Sequence, residues 1–383
     1  MAAGLGVQQA SLYYHIKNKE DLLHGICYST FLQIVEGADA AVAGAPDAHS
    51  AFREIARSHL TTTLTYQSEC TVSLMECRAL GLEYRAEIEA LWSRYHMLAY
   101  EVLDAAKLNG TIRADLPNKY IYTPLMCTLN WPILWYRPGQ GLSVEELDAL
   151  VAKVYFGGAG QVGKTPSDAI RDTAQRLDLR AETMSASTGQ QANETYNRLL
   201  DVSCALFARK GYQATSIREI AAAMGIQKAS LYYYITGKEE LLVAISRAAM
   251  THLRHCVEWA LAQAHSPAER LYAFIVAHVV SLLQHQNWHA AANEELLTFP
   301  GVKRAEIVAL RDEYESMLRG ILLEAQEAGI LRTDISAKNL GLILFGIITN
   351  IYPWYQPNVD VAPRELGRTL ADLFLNGIDA HRV

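Results

Sequence analysis

The 383-residue chain holds few turn-forming residues: 24 glycines and 11 prolines, roughly 9%, below the roughly 12% of average usage. That leaves little material for the many tight corners of a β-rich protein, and it favours helices. Positive charge is also short, with 34 Lys and Arg against 41 Asp and Glu, a net charge of −7. The surface as a whole is not a cation seeking polyanions, so only a local basic patch could do that. Long apolar runs are missing. The best, Leu340 to Ile348, is cut off by Thr349 and Asn350, well short of the roughly 18 residues of a membrane span. The start, MAAGLGVQQASLYYH, has neither a basic n-region nor a long apolar stretch, so it does not read as a signal peptide. The six cysteines, Cys27, Cys70, Cys77, Cys127, Cys204 and Cys256, form no C-x-x-C pair and no Cys/His set at zinc-ligand spacing. A soluble, cytoplasmic, all-α protein is expected, with buried reduced thiols, no metal, no cofactor and no membrane partner.

What the chain does contain is a repeat. Residues 5–23 (LGVQQASLYYHIKNKEDLL) match 224–242 (MGIQKASLYYYITGKEELL) at 12 of 19 positions, at an offset of 219. The same offset pairs RAEIEAL at 85–91 with RAEIVAL at 304–310, GTIRADL at 110–116 with GILRTDI at 329–335, and WYRP at 135–138 with WYQP at 354–357. Chance does not hold register over such a span. The chain therefore reads as a tandem duplication, with units at 1–158 and 190–383 joined by a polar linker at 159–189. Each unit is long enough to bury a core of its own.

Within a unit the apolar spacing is helical. Asn193 to Lys210 places Leu199, Leu200, Val202, Leu206 and Phe207 on one stripe and stops at Gly211. Ser216 with Glu219, Thr236 with Glu239 and Ser143 with Glu146 read as capping boxes, and Asn18 with Asp21 as a further cap. Further amphipathic helices are expected at 51–66, 69–80, 85–108, 118–135 and 143–156, each with a counterpart 219 residues on.

The stretch from Ser216 to Leu242 has the grammar of a helix-turn-helix: a short helix, a turn at Gly225, then a second short helix over Lys228–Ile235. That second helix turns Leu231 and Ile235 inward and leaves Lys228, Ser230, Tyr232, Tyr233 and Tyr234 outward. Amines and hydroxyls there suit base edges and phosphates in a major groove. A purely structural role for the tyrosines fails, because three in succession cannot all face one interior. Residues 193–247 carry seven Lys and Arg against five acids, a local net charge of +2.

The segment TSIREIAAAMGIQKASLYYYITGKEELL resembles the DNA-binding signature of TetR-type bacterial transcriptional regulators, T-x-x-x-I-A-x-x-x-G-V followed by L-Y-x-H-F-x-x-K-E-x-L. Tyr234 and Gly237 depart from the usual His and Asn, whereas the first unit keeps His15 and Asn18. The resemblance implies a three-helix DNA-binding unit (190–245, and partially 1–45) followed by a helical effector and dimerisation domain (246–383, and 46–158). It implies groove contacts from Lys228, Ser230, Tyr232, Tyr233 and Tyr234, with phosphate contacts from Thr215 and Lys238. In the first unit the matching positions are Gln9, Ser11, Tyr13, Tyr14, His15 and Lys19. The expected partners are double-stranded operator DNA and a small-molecule effector. The two units would pair as an intramolecular pseudo-dimer, with a further homodimer of chains as an alternative. Met1 aligns with Ile220, so the counterpart of Gln190–Glu219 is not in the first unit as given. A coding start placed too late is the expected reason, and loss of DNA binding by that unit the alternative.

The effector regions are rich in histidine and aromatics: His59, Tyr66, Glu76, Arg78, Trp92 and Trp131 in the first unit, and His278, His285, Trp288 and Glu295 in the second. Of these His59, Glu76, Trp92, Trp131, His278, Trp288 and Glu295 are taken as ligand-binding candidates, set against ordinary core packing. The segment NWPILWYRPGQGLS at 130–143 resembles the C-terminal part of TetR-type regulators that answer to acyl-CoA thioesters or related hydrophobic catabolites. The expected function is thus a ligand-responsive repressor, with a helical sensor or interaction protein lacking operator binding as the alternative. Catalysis is not expected. GAGQVGKT at 158–165 is a literal phosphate-loop string, but the repeat register places it just after a helix, with no room for an α/β domain.

Overall fold

The computed structural model describes residues 18–161, 194–212, 214–294 and 301–380. Among them every regular element is helical, and strand pairing is limited to isolated bridges. The chain divides into two compact units, Met1–Phe156 with Ile378–Val383, and Gly157–Gly377.

The first unit contains α1 (Lys19–Gly44), α2 (Ala48–Thr65), α3 (Gln67–Glu76), α4 (Leu82–Leu108), α5 (Asn118–Asn130) and α6 (Val144–Val151). Asn18 Oδ1 accepts the Asp21 amide at 2.8 Å and starts α1. Ser143 and Glu146 close the expected capping box on α6. The central α1 and α2 pack on each other and on α4, burying Phe31, Val35, Phe52, Ile55, Leu60, Tyr95 and Leu103. A short tail completes the unit: Arg113 N–H donates to the Ile378 carbonyl at 2.9 Å and Ala380 N–H to that of Thr111 at 3.1 Å. His49 Nε2 lies 2.7 Å from Asp379 Oδ1.

The second unit contains α7 (Glu194–Lys210), α8 (Ile217–Met224), α9 (Lys228–Leu231), α10 (Lys238–Leu261), α11 (Pro267–Gln284), α12 (Gln286–Glu294), α13 (Gly301–Glu327), α14 (Ala337–Thr349) and α15 (Pro363–Asn376). The offset of 219 carries α2 onto α11, α4 onto α13 and α5 onto α14 without a residue's discrepancy at either end. The duplication is one of structure as well as sequence. Here too a tail completes the unit: Ala159 and Gly160 N–H donate to the carbonyls of Phe374 and Leu375, each at 2.8 Å, and Arg332 N–H donates to that of Ala159 at 3.0 Å. The boundaries expected from the repeat are therefore crossed by two short segments. Residues 157–161 belong with the second unit, and 378–380 with the first.

The tail also explains the phosphate-loop string. Gly158 sits at φ +78°, where a side chain would meet the Leu375 carbonyl oxygen at 2.4 Å. The amides of Ala159, Gly160 and Gln161 are all bonded to carbonyls of the second unit, so they form no cradle for a phosphate. Val162 to Thr165 lie outside the described residues. Of the six cysteines, Cys77 and Cys127 are half-buried rather than buried. Among the described residues no group of His, Cys, Asp and Glu could hold a metal, and no helix is long and apolar enough to cross a membrane.

Candidate functional site

The helix-turn-helix of the second unit forms for local reasons. Helix α7 ends where Gly211 takes φ +83°. Ser216 and Glu219 close a capping box at the start of α8, and Glu219 also pairs with Lys210, which holds its carboxyl well below the usual range. Gly225, at φ +72°, ends α8 and turns the chain into α9. Leu199, Phe207, Ile220, Met224, Leu231, Ile235, Leu241 and Ile245 then bury themselves in one cluster.

The outward edge carries the expected side chains, with corrections. Lys228 is exposed, and its Nζ stands 5.8 Å from the Tyr232 ring centroid. Tyr233 is 90% and Tyr232 47% exposed. Ser230 is half-buried, and Tyr234 packs against the core cluster rather than facing out. The expected helix over Lys228–Ile235 is shorter, covering Lys228–Leu231. Beyond it the amides of Tyr233 and Tyr234 bond three residues back, to Ser230 and Leu231. Leu231 and Ile235, four residues apart, stay inside while Tyr233 stays out. Thr236 N–H donates to Glu240 at 2.5 Å instead of forming a box with Glu239.

The two positions expected on phosphates behave differently from that expectation. Thr215 is buried, and its hydroxyl donates to the Gly211 carbonyl at 2.9 Å. Its side chain organises the loop between α7 and α8. Lys238 Nζ donates to the Tyr212 carbonyl at 2.8 Å and lies 4.3 Å from the centroid of that ring. In the first unit Lys19 is the exposed first residue of α1, while Gln9, Ser11, Tyr13, Tyr14 and His15 lie outside the described residues.

The effector candidates separate into two groups. In the first unit His59 is buried, its Nδ1 2.9 Å from Tyr95 Oη and its Nε2 3.1 Å from Asn130 Oδ1. Trp92 meets the same tyrosine edge-on at 5.8 Å. Trp131, half-buried, follows Asn130 directly, whereas Glu76 is exposed at the end of α3 and stands apart. Burial depresses His59 to about 4.

In the second unit His278 repeats the pattern, with Nδ1 2.9 Å from Tyr314 Oη. Around it stand histidines absent from the first unit. His252 bonds Ser281 Oγ at 2.9 Å and meets His285 edge-on at 4.5 Å. His285 stacks on Trp288 at 4.2 Å, and Trp288 Nε1 donates to Asp201 Oδ1 of α7 at 2.7 Å. His289 is 5% exposed, and burial, with the other imidazoles and the Arg311 guanidinium as neighbours, holds it well below the usual histidine range. Burial depresses His252 to about 4 and His278 to about 3, and brings Arg311 down to about 10. Glu295 lies outside the described residues. Sequence reasoning passed over His252, His289, Arg311 and Asp201. Their signal was a mismatch, since at the offset of 219 the first three stand opposite Gln33, Cys70 and Trp92.

Comparison with known proteins decides the family. Residues 46–159 and 264–378 match the profile described as "Tetracyclin repressor-like, C-terminal domain", and residues 199–245 match "Bacterial regulatory proteins, tetR family". The chain belongs to the TetR family. The two C-terminal matches fall one in each unit, as a tandem duplication requires. Similar curated proteins include the HTH-type transcriptional repressor KstR2 of Mycobacterium tuberculosis, 24% identical over 189 residues, 49% of this chain and 94% of that protein. Another is the Bacillus subtilis fatty acid metabolism regulator protein, 22% identical over 190 residues, 49% of this chain and 98% of that protein. Among solved structures, the TetR family regulator PfmR of Thermus thermophilus is 31% identical, with a TM-score of 0.44, over 47% of this chain and 98% of its own. These relatives are transcriptional regulators rather than enzymes.

Proposed function

We propose that the protein is a ligand-responsive repressor whose second unit reads operator DNA through α9 and the turn after it. The observation that carries this reading is the exposed edge of Lys228, Tyr232 and Tyr233 on a helix-turn-helix closed beneath by Leu231 and Ile235. Such an edge offers an ammonium and phenolic hydroxyls to groove and backbone at little cost to the core. Ser230 and Tyr234 flank it, and Lys238 and Thr215 organise the backbone on either side. The first unit supplies a second, partial reader on the same polypeptide, which makes the chain an intramolecular pseudo-dimer acting in the cytoplasm. The effector is held in a helical effector region, for which His59 and His278 mark the two candidate positions. Its class is a hydrophobic catabolite such as an acyl-CoA, in keeping with the regulator of fatty acid metabolism among the relatives.

A gel shift with the DNA upstream of the gene, repeated across a salt series, tests the reading. Binding that weakens with salt, that Tyr233→Ala reduces, and that a hydrophobic effector, octanoyl-CoA or octanoate, releases is expected. No shift at any salt concentration would leave a helical sensor without an operator.

A further inference from the structure

From the way the two repeats differ at one buried imidazole, we infer that the effector site lies in the second unit alone and takes the carboxylate of an apolar monocarboxylic acid. This rests on the reading of a hydrophobic effector above and narrows that class to a free acid bound at one place.

In the first unit His59 is closed at both nitrogens. Asn130 Oδ1 accepts from Nε2–H, so Tyr95 donates to Nδ1. His278 and Tyr314 keep the same bond, and the same tautomer leaves an Nε2–H donor pointing where the first unit has an amide oxygen. The residue at the place of Asn130 is Thr349, at the end of α14. His278 Nε2 and the Thr349 hydroxyl are both buried without a hydrogen-bond partner, as is Nε2 of His289. Such atoms normally find partners in a folded chain, and leaving them bare costs stability. The half-buried guanidinium of Arg311 neighbours His289. Phe274 and Phe345 stand about the imidazole of His278, each with its ring centroid 6.1 Å away.

Donors crowded among aromatic walls call for an acceptor that carries an apolar body. The groups facing the cluster are His252 and Cys256 from α10, His278 from α11, His285 beyond it, His289 from α12, Arg311 and Tyr314 from α13, and Tyr352 after α14. Among the described residues the carboxylate that reaches it, Asp201 of α7, accepts from Trp288. An anion placed among these groups meets donors and the charge of Arg311. It also favours the protonated imidazoles, so its binding draws protons from solution.

Calorimetry on the full chain at pH 6.5, in two buffers of different ionisation enthalpy, tests this without DNA. Octanoate should bind at one site per chain, with a buffer-dependent heat that shows proton uptake. Thr349→Asn restores the amide of the first unit, and should raise the unliganded melting temperature while weakening octanoate roughly tenfold or more, the worth of one hydrogen bond to a charged group. Arg311→Gln should weaken it as well, and Asn130→Thr should leave it unchanged. The assignment falls if octanoate gives no heat, if Thr349→Asn binds it as tightly as the parent, or if Asn130→Thr abolishes binding. Octanoyl-CoA binding with octanoate silent would replace the carboxylate by a thioester and overturn it too. Because operator binding is read separately by gel shift, failure here is distinguishable from failure of the repressor reading.

Discussion

Trp288 donates its indole N–H to Asp201 at 2.7 Å, joining α12 of the effector region to α7 of the helix-turn-helix. On its other side the indole stacks on His285, which meets His252 of α10. One buried side chain thus links the histidine cluster to the helix that supports the DNA-reading turn. A ligand that rearranges the cluster has a direct mechanical path to α7, in the form coupling between two sites requires. Trp288→Phe keeps the stack and removes the donor. It should destabilise the second unit by about 1–2 kcal/mol in urea unfolding. Gel shifts should show operator binding retained without effector and its release by effector weakened.

Much of this was legible in advance, and particular residues show why. Apolar spacing and caps are local properties, so Asn18, Ser143 and Ser216 place the starts of α1, α6 and α8. The repeat then carries the described helices of the first unit onto the second. Less legible was whatever depends on distant partners. Thr215 matches a motif whose hydroxyl could face a phosphate, but the Gly211 carbonyl holds it inward. The spacing of Leu231 and Ile235 suits a longer helix after Gly225, and nothing in it marks the change beyond Leu231, where the amides of Tyr233 and Tyr234 bond three residues back. His252, His278 and His289 lie on α10, α11 and α12, with His285 between the last two, and their meeting is a matter of packing alone.

Gly158 and Gly225 share a left-handed backbone and differ in their surroundings. An added Cβ at Gly225 meets nothing within 4 Å, whereas at Gly158 it meets the Leu375 carbonyl oxygen at 2.4 Å. Gly225→Ala should cost about 1–2 kcal/mol, the strain of the conformation itself. Gly158→Ala adds a backbone clash to the same strain and should cost more, lowering the melting temperature further in a calorimetric scan. Equal losses would mean that the tail carries no load in the second unit.

The buried imidazoles make stability fall in mild acid. His59, His252 and His278 are held neutral, at about 4, 4 and 3, whereas in the unfolded chain they take up protons below about pH 6.5. The unfolded state therefore binds more protons, and the stability present above pH 6.5 is lost as pH falls toward 4. The slope is up to about 1.4 kcal/mol per pH unit for each residue. Urea midpoints measured from pH 7.5 to 4.5 should show this fall, and His278→Gln should flatten it. An unchanged slope in that variant would place the proton uptake elsewhere.

The proposed readers of the two units differ at one groove position. Lys228 stands exposed in the second unit where the first has Gln9. Lysine suits the acceptors of guanine and glutamine the donor and acceptor of adenine, so the two halves of an operator need not be the same sequence. Tethering permits this, since neither unit has to serve both half-sites as the subunits of a symmetric dimer do. Lys228→Ala should cost about 1–3 kcal/mol at one half-site and leave the other nearly untouched. Quantitative footprinting resolves the halves separately. A uniform loss across both would mean that second units from two chains, rather than two units of one chain, occupy the operator.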